Sequence, residues 1–517
     1  MLDLTGLLLP SDYPNTHAAR MPDRVAIRFG AHEWTYAQYD RACDAMVTIL
    51  REAGVGVGGR IAYLGKNNDL FFAVLIGAIR AGIVLVPINW RNTMPEIRYV
   101  LDDSQATLVL VDTEFLATAR EADTRGRALI VVDAEGAEGL RQRIASADPA
   151  PRAALDPRVP CLQLYTSGTT GRPKGVVTSQ YAIGVQREME LQSGYFDDWG
   201  DDEVILSPLP SFHIGGMSWV LTGIIRGQTA VVTADVTPGG ILDACLANAI
   251  TRTFIVPTLV RALIGEMDAR GVRVPSLRGI HYGAAPMDPA LLDRSVDRIG
   301  CRFLQYYGMT EVSGSITVLG PQEHDSSRPT LLRSVGRPLP GFAIEIRGPD
   351  RQLLTADQPG EIWVKGPSLL IEYWNRPDAT AEALIDGWYR SGDGGRIDTN
   401  GFLFLTDRIK DMIVSGGENV YPAEVEAALR DHPAVLDCAV FGLPHPKWGE
   451  GVTAALELRP GHSTTADEII TYCRTCLAAY KIPRRIEIGV VLPRTASGKV
   501  QRGLIRKTYL DAGTSTA

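Results

Sequence analysis

Hydroxyl side chains and glycines surround a single lysine in the segment Leu162–Ser179, which reads LQLYTSGTTGRPKGVVTS. The apolar residues before it predict a strand, so the loop leaves the end of a sheet, where α/β proteins commonly bind ligands. Hydroxyls can bond phosphate oxygens, glycines let backbone N–H groups approach an anion, and the Lys174 ammonium adds positive charge. Because Gly175 follows Lys174, this is not a Walker A loop. Composition alone leaves a flexible linker as an equal alternative.

The composition of the 517-residue chain is that of an ordinary globular protein, with 45% hydrophobic and 22% charged residues. This length predicts two or more domains. A net charge of −8 argues against a nucleic-acid binder. From Lys481 to Lys507 the balance reverses, with eight basic residues against one acidic residue, Glu487. That stretch predicts either a site for an anionic ligand or a solvated basic face.

The cysteines and the apolar segments indicate an intracellular, non-membrane protein. Seven scattered cysteines form no disulfide framework, and the CxxC pair Cys473 and Cys476 lies in a helical pattern that favours ordinary packing over a metal or redox role. The N-terminus lacks the features of a signal peptide. The most apolar run, LFFAVLIGAIRAGIVLVPI, is broken by Arg80, Gly82 and Pro87, and predicts a buried helix followed by a buried strand. We therefore expect a cytoplasmic location and no transmembrane segment.

Strand and helix patterns alternate over the first four hundred residues. RVAIRF, RIAYLG and ATLVLVD predict strands, and TYAQYDRACDAMVTILREAG predicts a helix that ends at Gly54. This alternation predicts an α/β fold with a large N-terminal domain of several subdomains, whose parallel-rich sheets are flanked by helices. Beyond Asp411, shorter patterns predict a small α+β C-terminal domain. We place the boundary at Lys410, which gives domains of residues 1–409 and 410–517.

The exact order of residues in the segment Leu162–Ser179 is more informative than its composition. YTSGTTGRPKGV resembles the signature of the adenylate-forming superfamily, which includes acyl-CoA synthetases, nonribosomal peptide adenylation domains and luciferases. Later blocks of that family recur in order along nearly the whole chain: LPSFHIGG, GAAPM, YYGMTE, GEIWVKGP, YRSGDGG, TDRIKDMIVSGGENVYPAEVE, PHPKWGEG and PRTASGKVQR. The resemblance implies a two-step reaction. A carboxylate attacks the α-phosphorus of ATP to form acyl-AMP, and the thiol of coenzyme A then takes the acyl group.

The resemblance also implies which residues would carry the first step. Lys499 would reach the acid carboxylate and the α-phosphate, and its ammonium would offset charge that develops in the transition state. Thr310 would bond the α-phosphate. Glu311 would hold Mg²⁺, a hard cation that suits carboxylate and phosphate oxygens. Taken alone, each of these residues has an ordinary structural explanation, and only their order within the blocks favours the catalytic one.

The nucleotide site follows from the same blocks. Tyr307 would stack on adenine, while Asp393, supported by Arg408, would bind the ribose hydroxyls. The phosphates would be bound by the loop residues Thr166, Ser167, Gly168, Thr169, Thr170, Gly171 and Lys174. The wall of the adenine site opposite Tyr307 would be formed by Ala284, Ala285 and Pro286.

The resemblance implies that residues of both predicted domains bind coenzyme A. Gly416 and Gly417 resemble the positions where CoA synthetases pass the pantetheine arm, since glycines permit close passage. Trp448 would meet the CoA nucleotide, and Arg91 and Arg484 its phosphates. A packed tryptophan and solvated arginines are the alternatives.

The small domain is predicted to be mobile. Lys410 matches the hinge about which it would swing between the two steps. Two positions depart from the family pattern: Gly394 stands where many relatives have leucine, and Glu418 stands where some acetate-activating members have arginine. The second departure argues against CoA contacts of the acetate-activating type.

The acyl pocket is predicted from the same resemblance. It comprises His213, Ile214, Gly215, Gly216, Trp219, Pro257, Gly283, Gly308, Met309, Val312 and Ser313. These residues are mostly apolar or small and include no lysine or arginine, which disfavours a second carboxylate on the substrate. We therefore predict an aromatic, alicyclic or short- to medium-chain monocarboxylate. His213 would either orient the acid or simply pack.

Several other functions stay open at this point. The block SFHIGGMSW has no acidic residue, which argues against an amino-acid substrate, and GFLFLTDRIKD runs through the hinge without an insertion, which favours CoA over a carrier protein. The alternatives are a ligase that loads a carrier protein, an oxygen-using luciferase relative and an adenylate-binding relative without catalysis. A homodimer is compatible with all of them.

Overall fold

Two compact units make up the chain in the computed structural model. The model describes residues 2–150, 155–166, 173–283, 287, 289–408, 411, 413–415, 418–420, 422–445, 448–477, 479–495 and 499–514. The first unit comprises Met1–Ala343 and Lys365–Tyr389, and the second comprises Ile344–Val364 and Arg390–Ala517. The predicted hinge and boundary residue, Lys410, lies outside the described residues, so the boundary stays a prediction.

The elements are numbered in chain order. The helices are α1 (Tyr13–Arg20), α2 (Tyr36–Glu52), α3 (Asp69–Ala81), α4 (Met94–Ser104), α5 (Leu116–Ala122), α6 (Leu140–Ser146), α7 (Gln180–Leu191), α8 (Ile214–Ile225), α9 (Pro238–Ala247), α10 (Pro257–Arg270), α11 (Pro289–Ile299), α12 (Pro377–Ala383), α13 (Pro422–Arg430), α14 (Ala466–Cys476) and α15 (Arg502–Thr514). The strands are β1 (Val25–Phe29), β2 (His32–Thr35), β3 (Arg60–Leu64), β4 (Val84–Ile88), β5 (Leu108–Val111), β6 (Ala128–Val131), β7 (Pro160–Thr166), β8 (Lys174–Ser179), β9 (Val204–Ser207), β10 (Thr229–Val232), β11 (Arg252–Phe254), β12 (Gly279–Gly283), β13 (Arg302–Met309), β14 (Gly314–Leu319), β15 (Arg337–Pro338), β16 (Ala343–Arg347), β17 (Gly360–Lys365), β18 (Glu372–Tyr373), β19 (Leu384–Ile385), β20 (Trp388–Ile397), β21 (Leu403–Arg408), β22 (Ile413–Ser415), β23 (Glu418–Val420), β24 (Val435–His445), β25 (Gly449–Leu458) and β26 (Arg485–Ile488).

Two parallel-rich sheets dominate the described part of the first unit. One runs β15-β14-β13-β12-β11-β9-β10-β1-β2, with parallel pairing from β13 through to β1. The other runs β18-β8-β7-β4-β3-β5-β6, with parallel pairing from β7 through to β6. Helices follow most of these strands, which confirms the predicted α/β class. Antiparallel strands β14 and β8 extend the two sheets beyond their parallel parts.

The most apolar run of the sequence forms α3 and β4, as predicted. Every residue of both elements is buried. The charged residue within the run is satisfied inside the protein, because Arg80 pairs with Asp40 at 2.6 Å and with Asp44 at 2.7 Å, both on α2. Gly82 ends α3 in the left-handed conformation (φ +71°) that glycine adopts easily. No helix among the described residues is long and apolar enough to cross a bilayer.

The second unit contains two smaller sheets. In one, β20 lies between β17 and β21, and β16 lies next to β17. In the other, the order is β23-β22-β25-β24, and β26 pairs with β25 in parallel. Helices α13 and α14 pack on this second sheet through Val425, Leu429, Ile469 and Cys473. The helix predicted around the CxxC pair is confirmed as α14, with Cys473 in the core and Cys476 exposed.

Candidate active site

The predicted phosphate loop connects two antiparallel strands of the first unit. Thr166 ends β7 directly opposite Lys174, the first residue of β8. Gly175 is glycine for a packing reason, since a Cβ there would lie 2.7 Å from Nε2 of Gln163. The other loop residues predicted to bind phosphate, from Ser167 to Gly171, lie outside the described residues. The structure thus places the two ends of the loop, and both end residues are partly exposed.

A tyrosine that the sequence motifs did not single out joins Lys174 to Glu311. Glu311 lies in the 3₁₀ helix Thr310–Val312, directly after β13. Its Oε1 accepts a hydrogen bond of 3.1 Å from the hydroxyl of Tyr373, and Lys174 Nζ lies 5.0 Å from the centroid of the Tyr373 ring. Tyr373 is brought there because β18 pairs with β8, which sets Tyr373 opposite Val176. The cation, the carboxylate and Thr310 therefore gather where the phosphate loop begins and ends.

The Glu311 segment is fixed by further bonds. Its backbone carbonyl accepts a 2.7 Å hydrogen bond from the N–H of Leu370. The Tyr373 and Tyr389 hydroxyls lie 3.2 Å apart, so Tyr373 itself is held in place. The Glu311 carboxylate suits Mg²⁺, a hard cation that binds carboxylate oxygens together with phosphate oxygens. The described residues contain no cluster of three or more His, Cys, Asp or Glu side chains that could hold a metal ion.

The predicted adenine-stacking residue lies next to the same 3₁₀ helix. Tyr307, on β13, is 9% exposed and pairs with Thr317 of β14. On the neighbouring strand, Gly283 ends β12 opposite Tyr306. Ala284, Ala285 and Pro286, predicted as the opposite wall, lie outside the described residues.

In the second unit, a hairpin brings the two predicted ribose residues together. Asp393 on β20 lies directly opposite Arg408 on β21, although fourteen residues separate them in sequence. The N–H of Asp393 donates to the Ser391 hydroxyl at 3.0 Å, and that hydroxyl donates to the Ile362 carbonyl at 2.7 Å. These bonds anchor the Asp393 backbone to β17.

Lys499 projects from an anchored loop near the C-terminus. Its N–H donates to the Thr495 hydroxyl at 3.1 Å, and its carbonyl accepts from the Thr495 N–H at 2.7 Å. Arg494, which starts the loop, pairs with Asp437 of β24 at 2.8 Å and with Glu457 of β25 at 3.0 Å. The side chain of Lys499 is exposed.

Two of the residues predicted to bind CoA contact each other in the second unit. The Cζ atom of Arg484 lies 4.4 Å from the ring centroid of Trp448, a cation–π arrangement that presents an aromatic face and a positive charge together. Arg484 is also fixed through its N–H, which donates to the Val452 carbonyl at 2.8 Å. Arg91 belongs to the first unit, where its guanidinium stacks 4.3 Å from the Trp90 ring. Gly416 and Gly417 lie outside the described residues.

His213 precedes the first residue of α8 and faces the positive charge of Arg91. Burial, and secondarily this charge, lower the pKa of His213 to about 4. Its imidazole is therefore neutral at physiological pH and can act as a hydrogen-bond donor or acceptor. Ile214 and Gly215 begin α8 directly after it.

The glycines predicted to line the acyl pocket differ in how closely neighbouring atoms pack around them. A Cβ at Gly215 would have nothing nearer than 3.9 Å, whereas a Cβ at Gly216 would lie 2.4 Å from the Pro210 carbonyl oxygen. Gly215 therefore borders open space, and Gly216 permits close packing. A Cβ at Gly308 would lie 2.0 Å from the Gly314 carbonyl oxygen, so the close approach of β13 and β14 requires glycine at position 308.

The predicted pocket residue Trp219 lies in a buried aromatic cluster. It is 4% exposed, and its ring centroid lies 4.5 Å from His281 and 5.8 Å from Phe254. Its Nε1 donates to the Leu206 carbonyl at 3.0 Å. Met309 and Val312 follow Gly308 at the end of β13 and in the 3₁₀ helix.

Comparison with known proteins gives matches over nearly the whole chain. A family profile of AMP-binding enzymes matches residues 15–374, and one of the AMP-binding enzyme C-terminal domain matches residues 424–499. A feruloyl-CoA synthase from Amycolatopsis is 37% identical over 96% of this chain and 98% of its own length. ScoC, a fatty acid–[acyl-carrier-protein] ligase from Streptomyces coeruleorubidus, is 34% identical over 95% of each chain.

Solved structures show the same likeness. The o-succinylbenzoate CoA synthetase MenE from Bacillus subtilis, solved with its acyl-adenylate intermediate, has a TM-score of 0.84 and is 30% identical. The match covers 96% of this chain and 98% of that protein. A large domain of parallel-rich sheets followed by a smaller C-terminal domain is common to both.

Proposed function

This chain belongs to the AMP-binding enzyme family, the adenylate-forming enzymes, and on that premise we propose that it joins a carboxylic acid to coenzyme A at the cost of ATP. It is an acid–thiol ligase of the AMP-forming type. The observation that carries the proposal is the contact of Tyr373 with both Lys174, where the phosphate loop ends, and Glu311, which directly follows Thr310.

In the first step, a carboxylate oxygen of the acid attacks the α-phosphorus of ATP. The new oxygen–phosphorus bond forms as the bond to the β-phosphate breaks, so pyrophosphate leaves and acyl-AMP remains. Lys174 and the hydroxyls of the loop offset charge on the β- and γ-phosphates, and Thr310 bonds the α-phosphate. Lys499 contributes its ammonium to the reacting oxygens. Glu311 would hold Mg²⁺, which would neutralise phosphate charge when bound.

The nucleoside is held by the remaining predicted residues. Tyr307 stacks on adenine, with Ala284, Ala285 and Pro286 opposite, and Asp393 accepts hydrogen bonds from the ribose hydroxyls beside Arg408. The register of β20 and β21 supports this pairing, since it sets the backbones of Asp393 and Arg408 opposite each other.

In the second step, the CoA thiolate attacks the acyl carbonyl carbon, and the carbon–oxygen bond to AMP breaks. The thiol of a free cysteine has a pKa of about 8.5 and is a strong nucleophile, so for the CoA thiol we expect access to matter more than activation by a base. We propose that Gly416 and Gly417 admit the pantetheine arm, and that Trp448, Arg484 and Arg91 bind the nucleotide end. The small domain, residues 410–517, would swing about Lys410 to exchange Lys499 for this surface.

The proposed substrate is an aromatic, alicyclic or short- to medium-chain monocarboxylate. Relatives named for ferulate and indoleacetate support an aromatic monocarboxylate, and a relative named for long-chain fatty acids supports an aliphatic one. The neutral His213 and the open space at Gly215 suit the uncharged body of such an acid. The cytoplasm, which supplies ATP and CoA, is the proposed compartment.

A panel of carboxylic acids tests this function. Each acid is incubated with the full-length protein, ATP, Mg²⁺ and CoA, and mass spectrometry is used to measure acyl-CoA while AMP and pyrophosphate are quantified. We expect equal amounts of acyl-CoA, AMP and pyrophosphate. When CoA is omitted, we expect acyl-AMP and pyrophosphate and no acyl-CoA. If no acid in the panel increases pyrophosphate release, the proposal is wrong.

A carrier protein is the second candidate acceptor, because ScoC loads one and shares 34% identity with this chain. The Trp448–Arg484 pair favours CoA, whose nucleotide offers an aromatic base and phosphates. Parallel reactions with CoA and with a holo-carrier protein separate the two. Acyl transfer to the carrier at a higher kcat/KM than to CoA would establish the second candidate instead.

A further inference from the structure

A buried arginine on α7 carries N–H groups that meet no acceptor among the described residues. Arg187 is 3% exposed. Its Nη1 lies 2.8 Å from Glu190 Oε2 and donates to the Thr222 hydroxyl at 2.9 Å and to the Ser218 carbonyl at 3.3 Å. Its Nε and Nη2 have no partner in the described part of the chain. Buried donors are almost always bonded in proteins, so these two groups call for an acceptor.

The unpaired side of this guanidinium packs against β14, the neighbour of the strand that carries predicted acyl-pocket residues. A Cβ on Gly314 would lie only 2.7 Å from Nη2, so the glycine is what allows the guanidinium to pack this close to the strand. Gly314 pairs with Met309, and the next residue of β14, Ser315, pairs with Gly308. The guanidinium therefore adjoins the end of β13 that carries the predicted pocket residues Gly308 and Met309.

The Nη1 atom of the guanidinium, which has hydrogen-bond partners, contacts α8, the other element that carries predicted pocket residues. Ser218, whose carbonyl accepts from Arg187, lies on α8 directly before Trp219 and five residues after His213. Five residues of helix span about 7.5 Å. The Ser218 hydroxyl is also buried and has no partner among the described residues. Arg187 thus lies between β14 and α8, and α8 is the helix that begins directly after His213.

The charge around Arg187 decides which acceptor suits it. Glu190 already supplies one carboxylate at 2.8 Å, which balances the charge of the guanidinium. A second carboxylate would add an uncompensated buried charge, which is costly. A neutral oxygen acceptor satisfies Nε and Nη2 without that cost.

We propose that Arg187 recognises the far end of the substrate, so that the enzyme prefers monocarboxylic acids whose distal end bears a neutral oxygen acceptor. Phenol, methoxy and ketone oxygens belong to this class. The inference rests on the proposed function and narrows its range of acids. It makes Arg187 a specificity-determining residue in a pocket for which the sequence predicts no arginine.

Matched pairs of acids test the inference on the unmodified full-length protein. Suitable pairs of increasing length are benzoate with 4-hydroxybenzoate, 3-phenylpropanoate with 3-(4-hydroxyphenyl)propanoate, and 5-phenylpentanoate with 5-(4-hydroxyphenyl)pentanoate. Acid-dependent pyrophosphate release gives kcat/KM for each. Since a hydrogen bond to a charged group is strong and unmade buried bonds are penalised, we expect the oxygenated acid to be favoured by about tenfold to a hundredfold in at least one pair.

Two failures of this experiment have different meanings. Equal kcat/KM within every pair overturns the role of Arg187 and leaves the proposed function standing. The absence of pyrophosphate release with both members of every pair overturns the proposed function for these acids, and this inference with it. Because the comparison of acids uses the unmodified protein, it tests the proposed preference even if substitutions at Arg187 prevent folding.

A conservative variant then assigns the preference to the residue. Arg187→Lys keeps a cation for Glu190 but removes the two donors, so the ratio of kcat/KM for the oxygenated acid to kcat/KM for its partner should fall about tenfold. Arg127→Lys is the matched control, because Arg127 is equally buried and also pairs with carboxylates, those of Asp123 and Asp102. We expect the control to keep the wild-type preference. An Arg187→Lys protein that is folded by circular dichroism and keeps the full preference would overturn the proposal.

Discussion

Replacing Tyr373 with phenylalanine should weaken adenylation through its effect on Glu311. The substitution removes the hydroxyl that donates to Glu311 Oε1 at 3.1 Å, and it keeps the ring beneath Lys174. Hydrogen bonds to charged groups contribute about 1.5–3 kcal/mol, and the lower end applies here because Glu311 is partly exposed. A loss of about 1.4 kcal/mol corresponds to a tenfold change.

The assay is acid-dependent ATP–pyrophosphate exchange measured over a series of Mg²⁺ concentrations. For Tyr373→Phe we expect kcat/KM for ATP to fall about tenfold and the half-saturating Mg²⁺ concentration to rise, since partners of metal-binding carboxylates tune affinity. Tyr39→Phe is the control, because its buried hydroxyl bonds the Phe72 carbonyl at 3.0 Å on α3, in another part of the first unit. A Tyr373→Phe enzyme with wild-type Mg²⁺ dependence would refute the role given to this contact.

Three further predictions concern the second step, the acyl pocket and the hinge. Trp448→Ala should raise KM for CoA about two- to fivefold, the range expected for a lost cation–π partner, and should leave pyrophosphate exchange unchanged; a change in exchange alone would contradict the CoA assignment. Because burial lowers the pKa of His213 to about 4, the titration of His213 should not contribute to the pH profile of adenylation near pH 6.5, and His213→Gln should keep the shape of the wild-type profile there. For the same reason, the free energy of unfolding should fall as the pH drops from 6.5 to 4. Lys410→Pro should leave acyl-AMP formation intact and slow thioester formation about tenfold or more in single-turnover assays; equal slowing of both steps would rule out a hinge at this residue.

Local patterns in the sequence predict the elements of this fold well, because those elements depend on neighbouring residues. The helix predicted to end at Gly54 is α2, which begins with a capping box between Thr35 and Gln38 and ends at Glu52. The buried run forms α3 and β4. Asp393 and Arg408, which the resemblance implies for the ribose, lie on two strands that the sequence predicts at hairpin spacing, and the hairpin sets their backbones opposite each other.

The residues that the sequence did not single out gain their place from distant pairing. Tyr373 meets Glu311 only because β18 pairs with β8, about two hundred residues earlier in the chain. Arg187 is buried because α8 and β14 pack against it, and Glu190, three residues later on the same helix, balances its charge. No short motif records such an environment, because it depends on packing between elements far apart in the chain.

The most direct test of the central claim, that this chain makes acyl-AMP with the help of a lysine near its C-terminus, is ATP–pyrophosphate exchange in Lys499→Ala. With an acid that the wild-type enzyme activates, we predict that exchange falls by about a hundredfold or more, because a positioned charge at the reacting oxygens is lost. Transfer of the acyl group from supplied acyl-AMP to CoA should persist in the same variant. Exchange at the wild-type rate in Lys499→Ala would contradict the account.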